Sequence, residues 1–339
     1  MAAEISPRIH LEGRTALQDV IPLESPFLVF IDPSNICNFK CTFCPTGNEK
    51  LLQKTARKKN VMTLKIFKKI IDDIGHFPNK LKVLRLYKDG EPFLNPNLEK
   101  MVEYAKKNSN IQRVETTTNG SLLTPKRSKA IINAGIDQIN ISLDGMSNEQ
   151  FLKFTKTKID FNSFVKNIEY LYNNKKNCTI LIKTVQDILT KETEKKFYDT
   201  FSPIADKIYV ERIVPVWPEF DAGHNSKNGE VGLFGQPLNK IDVCPFIFYS
   251  MAINSNGSVS LCLFDWKHQM IIGDVKTTTL LDIWNSKKLN EFQKKFLNGK
   301  RENIIFCRHC EQIIYCTVDN IDPYKKEIMH RLKKKKLLT

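Results

Sequence analysis

Three cysteines stand within the segment NICNFKCTFCPTG, Asn35 to Gly47: Cys37, Cys41 and Cys44, spaced C-x3-C-x2-C. Three thiolates on one short loop leave a four-iron cluster one ligand short, and an iron with an open position binds a substrate-like ligand. Zinc is the alternative, but a structural zinc site is closed by four ligands. No histidine or fourth cysteine lies near, so zinc would need a distant partner. The chain holds nine cysteines, and an odd count argues against a complete disulfide framework. Cys178 stands alone at the start of an apolar run, either as a buried small hydrophobe or as a hydrogen-atom donor. Cys244, Cys262, Cys307, Cys310 and Cys316 gather in the last third, the final three as C-x2-C-x5-C. Clustered thiols in a reducing compartment point to metal.

The elements that must position these groups alternate along the chain. Strand patterns cover FLVFID (27–32), VLRLYKD (83–89), RVETTTN (113–119), QINISLD (138–144), TILIKTV (179–185) and KIYVERIV (207–214). Helix patterns lie between them at 63–77, 95–108, 124–135, 160–174 and 190–201. In the first, Leu64, Phe67, Ile70, Ile71 and Ile74 share one face. In the third, Thr124 is the N-cap, Pro125 opens the helix and Gly135 ends it. Six strands with helical crossovers imply an α/β fold with a parallel sheet, either a partial barrel or an open doubly wound sheet. Chemistry then gathers at the C-terminal ends of the strands. The cysteine loop follows the first strand, and KDGEPFLNP closes the second.

CNFKCTFC resembles the signature of the radical S-adenosylmethionine (SAM) superfamily, with an aromatic, Phe43, before the third cysteine. The resemblance implies a partial (β/α)6 barrel in which Cys37, Cys41 and Cys44 hold a [4Fe–4S] cluster whose fourth iron binds SAM. It extends to Asp89, Gly90 and Glu91, which look like the family's GGEP motif with Asp89 in place of its first glycine. Thr118 and Asn119 match a TNG strand end, and Ser142 and Asp144 an S-x-D-G strand end. These residues are expected at the cofactor, with Asp144 reaching a ribose hydroxyl. Lys183 and Thr184 are expected at the barrel mouth.

Composition shifts after residue 215, and 216–243 reads as a connecting or active-site loop. Glu211, Arg212, Trp217, Glu219, Asp221 and His224 are substrate-site candidates there, with His224 as a general base near neutral pH. From Cys244 a hairpin signal, SMAIN and SVSLCLF around NSNG, precedes a helix pattern LLDIWNSKKLNEFQKKF. Residues 244–320 resemble the SPASM and twitch auxiliary-cluster domains of radical SAM enzymes, here as a small α+β domain after the barrel. Five cysteines rather than seven imply one auxiliary [4Fe–4S] cluster, on Cys244, Cys262, Cys307 and Cys310 in the twitch pattern. Cys316 is then spare, a replacement ligand or a hydrogen-atom donor. Four-thiolate zinc is the alternative. The expected organisation is an N-terminal extension (1–26), a core barrel (27–215), the loop, the auxiliary domain and a basic tail (321–339) that reads as a frayed helix end.

The net charge of +15 fits an anionic partner, such as nucleic acid, phosphate or an acidic lipid surface, or else lysines on solvated helix faces; the second reading is taken, and no nucleic-acid partner is expected. No apolar run reaches a membrane span, and the first residues are no secretory signal, so the cytoplasm is expected. The reading is a radical SAM oxidoreductase or epimerase acting on a small sugar-like or nucleotide-linked metabolite and drawing electrons from a flavodoxin- or ferredoxin-type donor. The alternatives are a maturase of a ribosomal precursor peptide and a zinc-bearing binding module. About 30 residues precede the first strand, too few for a peptide-recognition domain.

Overall fold

A computed structural model describes residues 2–9, 11–222, 231–238 and 240–337. Six strands form the parallel core: β2 (Leu28–Ile31), β3 (Val83–Leu86), β4 (Val114–Thr118), β5 (Gln138–Ser142), β6 (Thr179–Val185) and β7 (Lys207–Glu211). They follow in spatial order, each paired in parallel with the next, as in a partial (β/α)6 barrel. Such strands are covered on both faces, which is why Leu28–Ile31 carries no polar residue.

The crossover helices begin where side chains can cap them. Thr63 accepts from the backbone N–H of Ile66, Thr124 from that of Arg127, and Thr190 closes a reciprocal capping box with Thr193. Their apolar stripes pack outside the sheet; Phe67, Ile70, Ile71 and Ile74 of Leu64–Ile74 are all buried. A further helix, Asn148–Thr155, was not anticipated; Ser147 caps it.

Both edges of the barrel sheet are extended. β1 (Glu4–Ile5) adds in parallel to β7, so the N-terminal segment is part of the sheet. On the other edge β8 (Ser250–Ile253) adds in parallel to β2, followed by antiparallel β9 (Ser258–Ser260) and β10 (Ile271–Asp274). The β8–β9 turn ends at Gly257, whose φ of +92° suits glycine. The ten strands make one sheet.

Two C-terminal expectations change. The pattern LLDIWNSKKLNEFQKKF is two helices, Leu280–Trp284 and Lys287–Leu297, because the Ser286 hydroxyl caps the second at Leu289 N–H. The basic end is a docked helix, Lys325–Leu337. Ile328 and Leu332 are buried, and Arg331 donates to the carbonyls of Gln18 and Asp19.

Candidate active site

The loop after β2 is locked to the loop after β3 by backbone and one buried cation. Glu91 N–H donates to the Ile36 carbonyl at 2.9 Å. A Cβ on Gly90 would stand 2.3 Å from Ser34 O and 2.4 Å from Ile36 O, so only glycine allows this approach. Gly47 folds as tightly against its own loop, 2.5 Å from Cys41 O by the same measure. The Arg57 guanidinium, 6% exposed, donates to Asn35 O at 2.5 Å, Thr46 Oγ1 at 3.0 Å and Asp89 O at 3.3 Å.

Cys37, Cys41 and Cys44 are free thiols on one wall of a cavity of about 220 Å³. Gly90, Glu91, Thr118, Asn119, Ser142 and Asp144 also line it, all at the C-terminal ends of β3, β4 and β5. Phe43 and Asp89 lie on the same wall as the thiols and the β3 loop. Burial pushes the Cys37 thiol up to about 12 and raises Cys41 and Cys44 as well. Thiols so placed ionise when a metal supplies the compensating charge. Cys41 Sγ lies 3.4 Å from Asp144 Oδ2, and burial lifts the Asp144 carboxyl to about 6. No three described His, Cys, Asp or Glu side chains converge on a single ion position. A donor set of three thiols around a cavity with polar strand ends opposite fits a multinuclear cluster with a ligand bound beside it.

Glu91 faces inward rather than into the cavity mouth. Its Oε1 accepts from Phe93 N–H at 3.0 Å and the Thr118 hydroxyl at 2.7 Å, and Oε2 accepts from Asn119 N–H at 2.8 Å. Asn119 in turn donates to Asn38 Oδ1 at 2.9 Å in the cysteine loop. The carboxylate thus ties the ends of β3 and β4 together beneath the thiols.

A buried ionic group lies beside it. Lys88 Nζ donates to Asp89 Oδ2 at 2.6 Å and to the Asp265 carbonyl at 3.2 Å, and His268 Nε2 lies 2.8 Å from the same Asp89 oxygen. Against burial, Lys88, Arg57 and His268 hold Asp89 below the usual carboxylate range. Asp32, at the end of β2, is lifted to about 7 by burial and by Asp89. Asp89 therefore joins the barrel to the loop after Cys262, a role its glycine-like position in the motif does not suggest.

A second, larger cavity of about 360 Å³ opens from the first. Phe43, Tyr87, Lys88, Thr117, Lys183 and Trp217 line both. Its walls are largely aromatic, with Phe30, Phe234, Phe246, Tyr249 and Phe264, and its floor is charged. There Lys183 Nζ donates to Glu211 Oε2 at 2.5 Å. Cys316 is buried against Val214, Leu233 and Phe234 and lines this cavity. Burial raises its thiol.

Cys244, Cys262, Cys307 and Cys310 form a separate group, close enough that each thiol of Cys244, Cys262 and Cys307 is raised by burial and then by its neighbours in the set. Arg301 donates to the carbonyls of Cys307 at 2.6 Å and Cys310 at 3.2 Å, which fixes that turn. These thiols are near enough to influence one another and are the donor set that would hold a closed auxiliary cluster, while Cys316, which also feels Cys310, lines the larger cavity.

The sequence candidates divide accordingly. Glu211, Arg212, Trp217 and Lys183 meet at the larger cavity, whereas Thr184 turns back to the Leu143 carbonyl at 2.9 Å. Glu219 instead pairs with Lys267, and neither it nor Asp221 lines either of these two cavities. His224 lies outside the described residues. Cys178 is 3% exposed in the apolar core beside the N-terminal end of β6 and lines neither cavity, the setting of a buried small hydrophobe. Sequence reasoning missed Arg8, Arg14, Arg85 and Tyr87, all of which line the larger cavity. Alternation in β3 carried a signal for two of them: Leu84 and Leu86 are fully buried, which turns Arg85 and Tyr87 to the opposite face.

Comparison with known proteins agrees with this geometry. The model of the Radical SAM superfamily matches residues 31–202, and that of SPASM, an iron–sulfur cluster-binding domain, matches residues 244–311. The GTP 3′,8-cyclase of Clostridium acetobutylicum is 26% identical over 223 residues, 63% of this chain and 64% of that protein, so the chain spans less than two thirds of its length. BtrN in complex with AdoMet and 2-DOIA superposes with a TM-score of 0.55 at 18% identity, over 87% of this chain and 97% of that one. Streptococcus suis SuiB bound to its precursor peptide SuiA gives 0.58 at 16% identity, over 80% and 67%. At such identities the structural likeness speaks to the fold. No helix among the described residues is long and apolar enough to cross a membrane.

Proposed function

The chain belongs to the radical SAM superfamily, and from that premise we propose that it inverts or oxidises one C–H-bearing carbon of a small hydroxylated metabolite, sugar-like or nucleotide-linked. The carrying observation is that the thiol-lined cavity and the larger cavity share lining residues, with Cys316 lining the larger one and not the first. When bound, SAM and its [4Fe–4S] cluster supply a 5′-deoxyadenosyl radical, and the auxiliary cluster a one-electron partner.

The chain's own residues do the rest. Cys37, Cys41 and Cys44 hold the first cluster, and Cys244, Cys262, Cys307 and Cys310 the second. Gly90 lets backbone approach the cofactor, Glu91 braces Thr118 and Asn119, and Ser142 and Asp144 face the nucleoside part. Phe43, Tyr87 and Trp217 wall off water between cofactor and substrate. Cys316, kept as a thiol by burial, would give a hydrogen atom from Sγ to the substrate carbon, and one electron from the donor through the auxiliary cluster with a solvent proton would restore the thiol from its thiyl form, which favours inversion over oxidation. A volume of about 360 Å³ suits a molecule of monosaccharide or nucleoside size. A precursor peptide would insert one side chain. Superfamily membership removes the support for a zinc module without SAM chemistry.

The test is anaerobic turnover in D2O with reductant, a flavodoxin- or ferredoxin-type donor and a panel of hydroxylated metabolites. We expect 5′-deoxyadenosine and solvent deuterium at an inverted carbon, with deuterium lost in Cys316→Ala. An oxidised product without deuterium would select oxidation, and no deoxyadenosine from cluster-loaded protein would overturn the proposal.

A further inference from the structure

Six cations line the larger cavity: Arg8, Arg14, Arg85, Lys88, Lys183 and Arg212. Four donate a hydrogen bond to a carboxylate. Arg14 reaches Asp319 at 2.9 Å, Arg85 reaches Glu115 at 3.1 Å, and Lys88 and Lys183 reach Asp89 and Glu211 as described. Their charges are committed to the fold.

Arg8 differs. Among the described residues its guanidinium makes no hydrogen bond, although its side chain is only 20% exposed. Its Nε forms an ion pair with Glu211 Oε1 at 3.5 Å, which leaves the two terminal NH2 groups of the fork without a hydrogen bond. That oxygen is buried and has no hydrogen-bond partner either. The guanidinium lies over the Phe234 ring at 5.5 Å, which holds its plane without using its N–H groups. Arg212, the following residue after Glu211 on the chain, also lines the cavity and forms no ion pair among the described residues. Arginine fork donors without an acceptor, inside an aromatic-walled cavity, are built to take a planar or tetrahedral oxyanion from two sides.

We infer that Arg8, carried into the cavity by the N-terminal segment, binds a carboxylate or phosphate group of the substrate, with Arg212 as the second cation and Glu211 Oε1 accepting a neighbouring hydroxyl or amine. The pairing of β1 with β7 is what brings Arg8 to the end of the sheet where Glu211 stands. Arg8 and Cys316 lie within electrostatic range of each other, so an oxyanion on Arg8 sets the substrate's carbon skeleton beside the thiol. This rests on the larger cavity being the substrate site, as proposed above.

The test is calorimetric binding to anaerobic, cluster-loaded full chain with SAM present. The probes are two matched pairs: ribose 5-phosphate against ribose, and galacturonate against galactose. One anion is expected to bind at least about tenfold more tightly than its neutral partner, and which one identifies phosphate or carboxylate. Arg8→Ala should lose that preference by roughly 10- to 100-fold. Arg8→Lys, which keeps the charge and the fold but not the fork, should lose part of it, and Arg212→Ala a smaller part. Lys195→Ala, on an exposed helix face, should match the wild type. Equal binding of anion and neutral partner, no anion binding up to about 10 mM, or an undiminished preference in Arg8→Ala and Arg8→Lys would overturn the inference. Deoxyadenosine formation from SAM on the same wild-type sample reports separately on the radical reading. If it is present and the preference absent, only the role of Arg8 falls.

Discussion

Replacing Glu91 by Gln separates a brace from a cofactor ligand. The side chain is buried, and all three of its partners donate: Phe93 N–H and Thr118 O–H to Oε1, Asn119 N–H to Oε2. Each oxygen faces a backbone N–H that cannot reverse, Phe93 at Oε1 and Asn119 at Oε2. The amide of Gln must therefore turn its NH2 toward a donor whichever way it lies. Facing Asn119 sacrifices fewer bonds. One charge-assisted bond is lost and a buried N–H is left opposed, at a cost of about 3 kcal/mol. With an unfolding entropy of about 0.7 kcal/mol/K for a chain of this length, the midpoint falls by about 4 °C. Calorimetry on the cluster-loaded protein without SAM measures it, and SAM affinity is measured alongside. A wild-type midpoint without SAM, together with a tenfold weaker SAM affinity, would refute the brace and make Glu91 a direct cofactor contact.

Two further outcomes follow from the site. Changing Cys37, Cys41 and Cys44 together to Ala should lower iron after reconstitution from ~8 to ~4 atoms per chain and abolish deoxyadenosine formation; iron falling from ~4 to none would mean the C-terminal thiols hold something else. Asp32 titrates in the fold at about 7, above its ordinary value of 3.8, through burial and Asp89. Its contribution to stability is complete below about pH 4 and is lost as pH rises through about 7. Urea midpoints of the wild type should fall across that window relative to Asp32→Asn, and parallel pH profiles would contradict the assignment.

The barrel was legible because its strands are local signals. TILIKTV is β6 residue for residue, and the other five core strands lie within their predicted runs. The three-thiol loop was legible because its spacing is local too. What escaped notice depends on partners remote in sequence. A two-residue strand at Glu4–Ile5 has no periodicity to detect and exists only because β7 offers it an edge. Asp89 was read only as a cofactor-site residue of its motif, yet 179 residues of separation between Asp89 and His268 collapse into one buried ionic contact that no local pattern announces. The break at Ser286 was readable as an N-cap, but the apolar pattern on either side hid it.

The pairing of β8 with β2 ties the last third of the chain to the first strand of the barrel, residue 250 against residue 28. β2 stays an open edge during synthesis until more than two hundred further residues have emerged, a closure with a high loop entropy. A chain cut before β8 would present LVFI, flat and apolar, as a template for other chains. Aggregation of such a fragment is the expected result, and the auxiliary domain is in that sense the barrel's own edge protection.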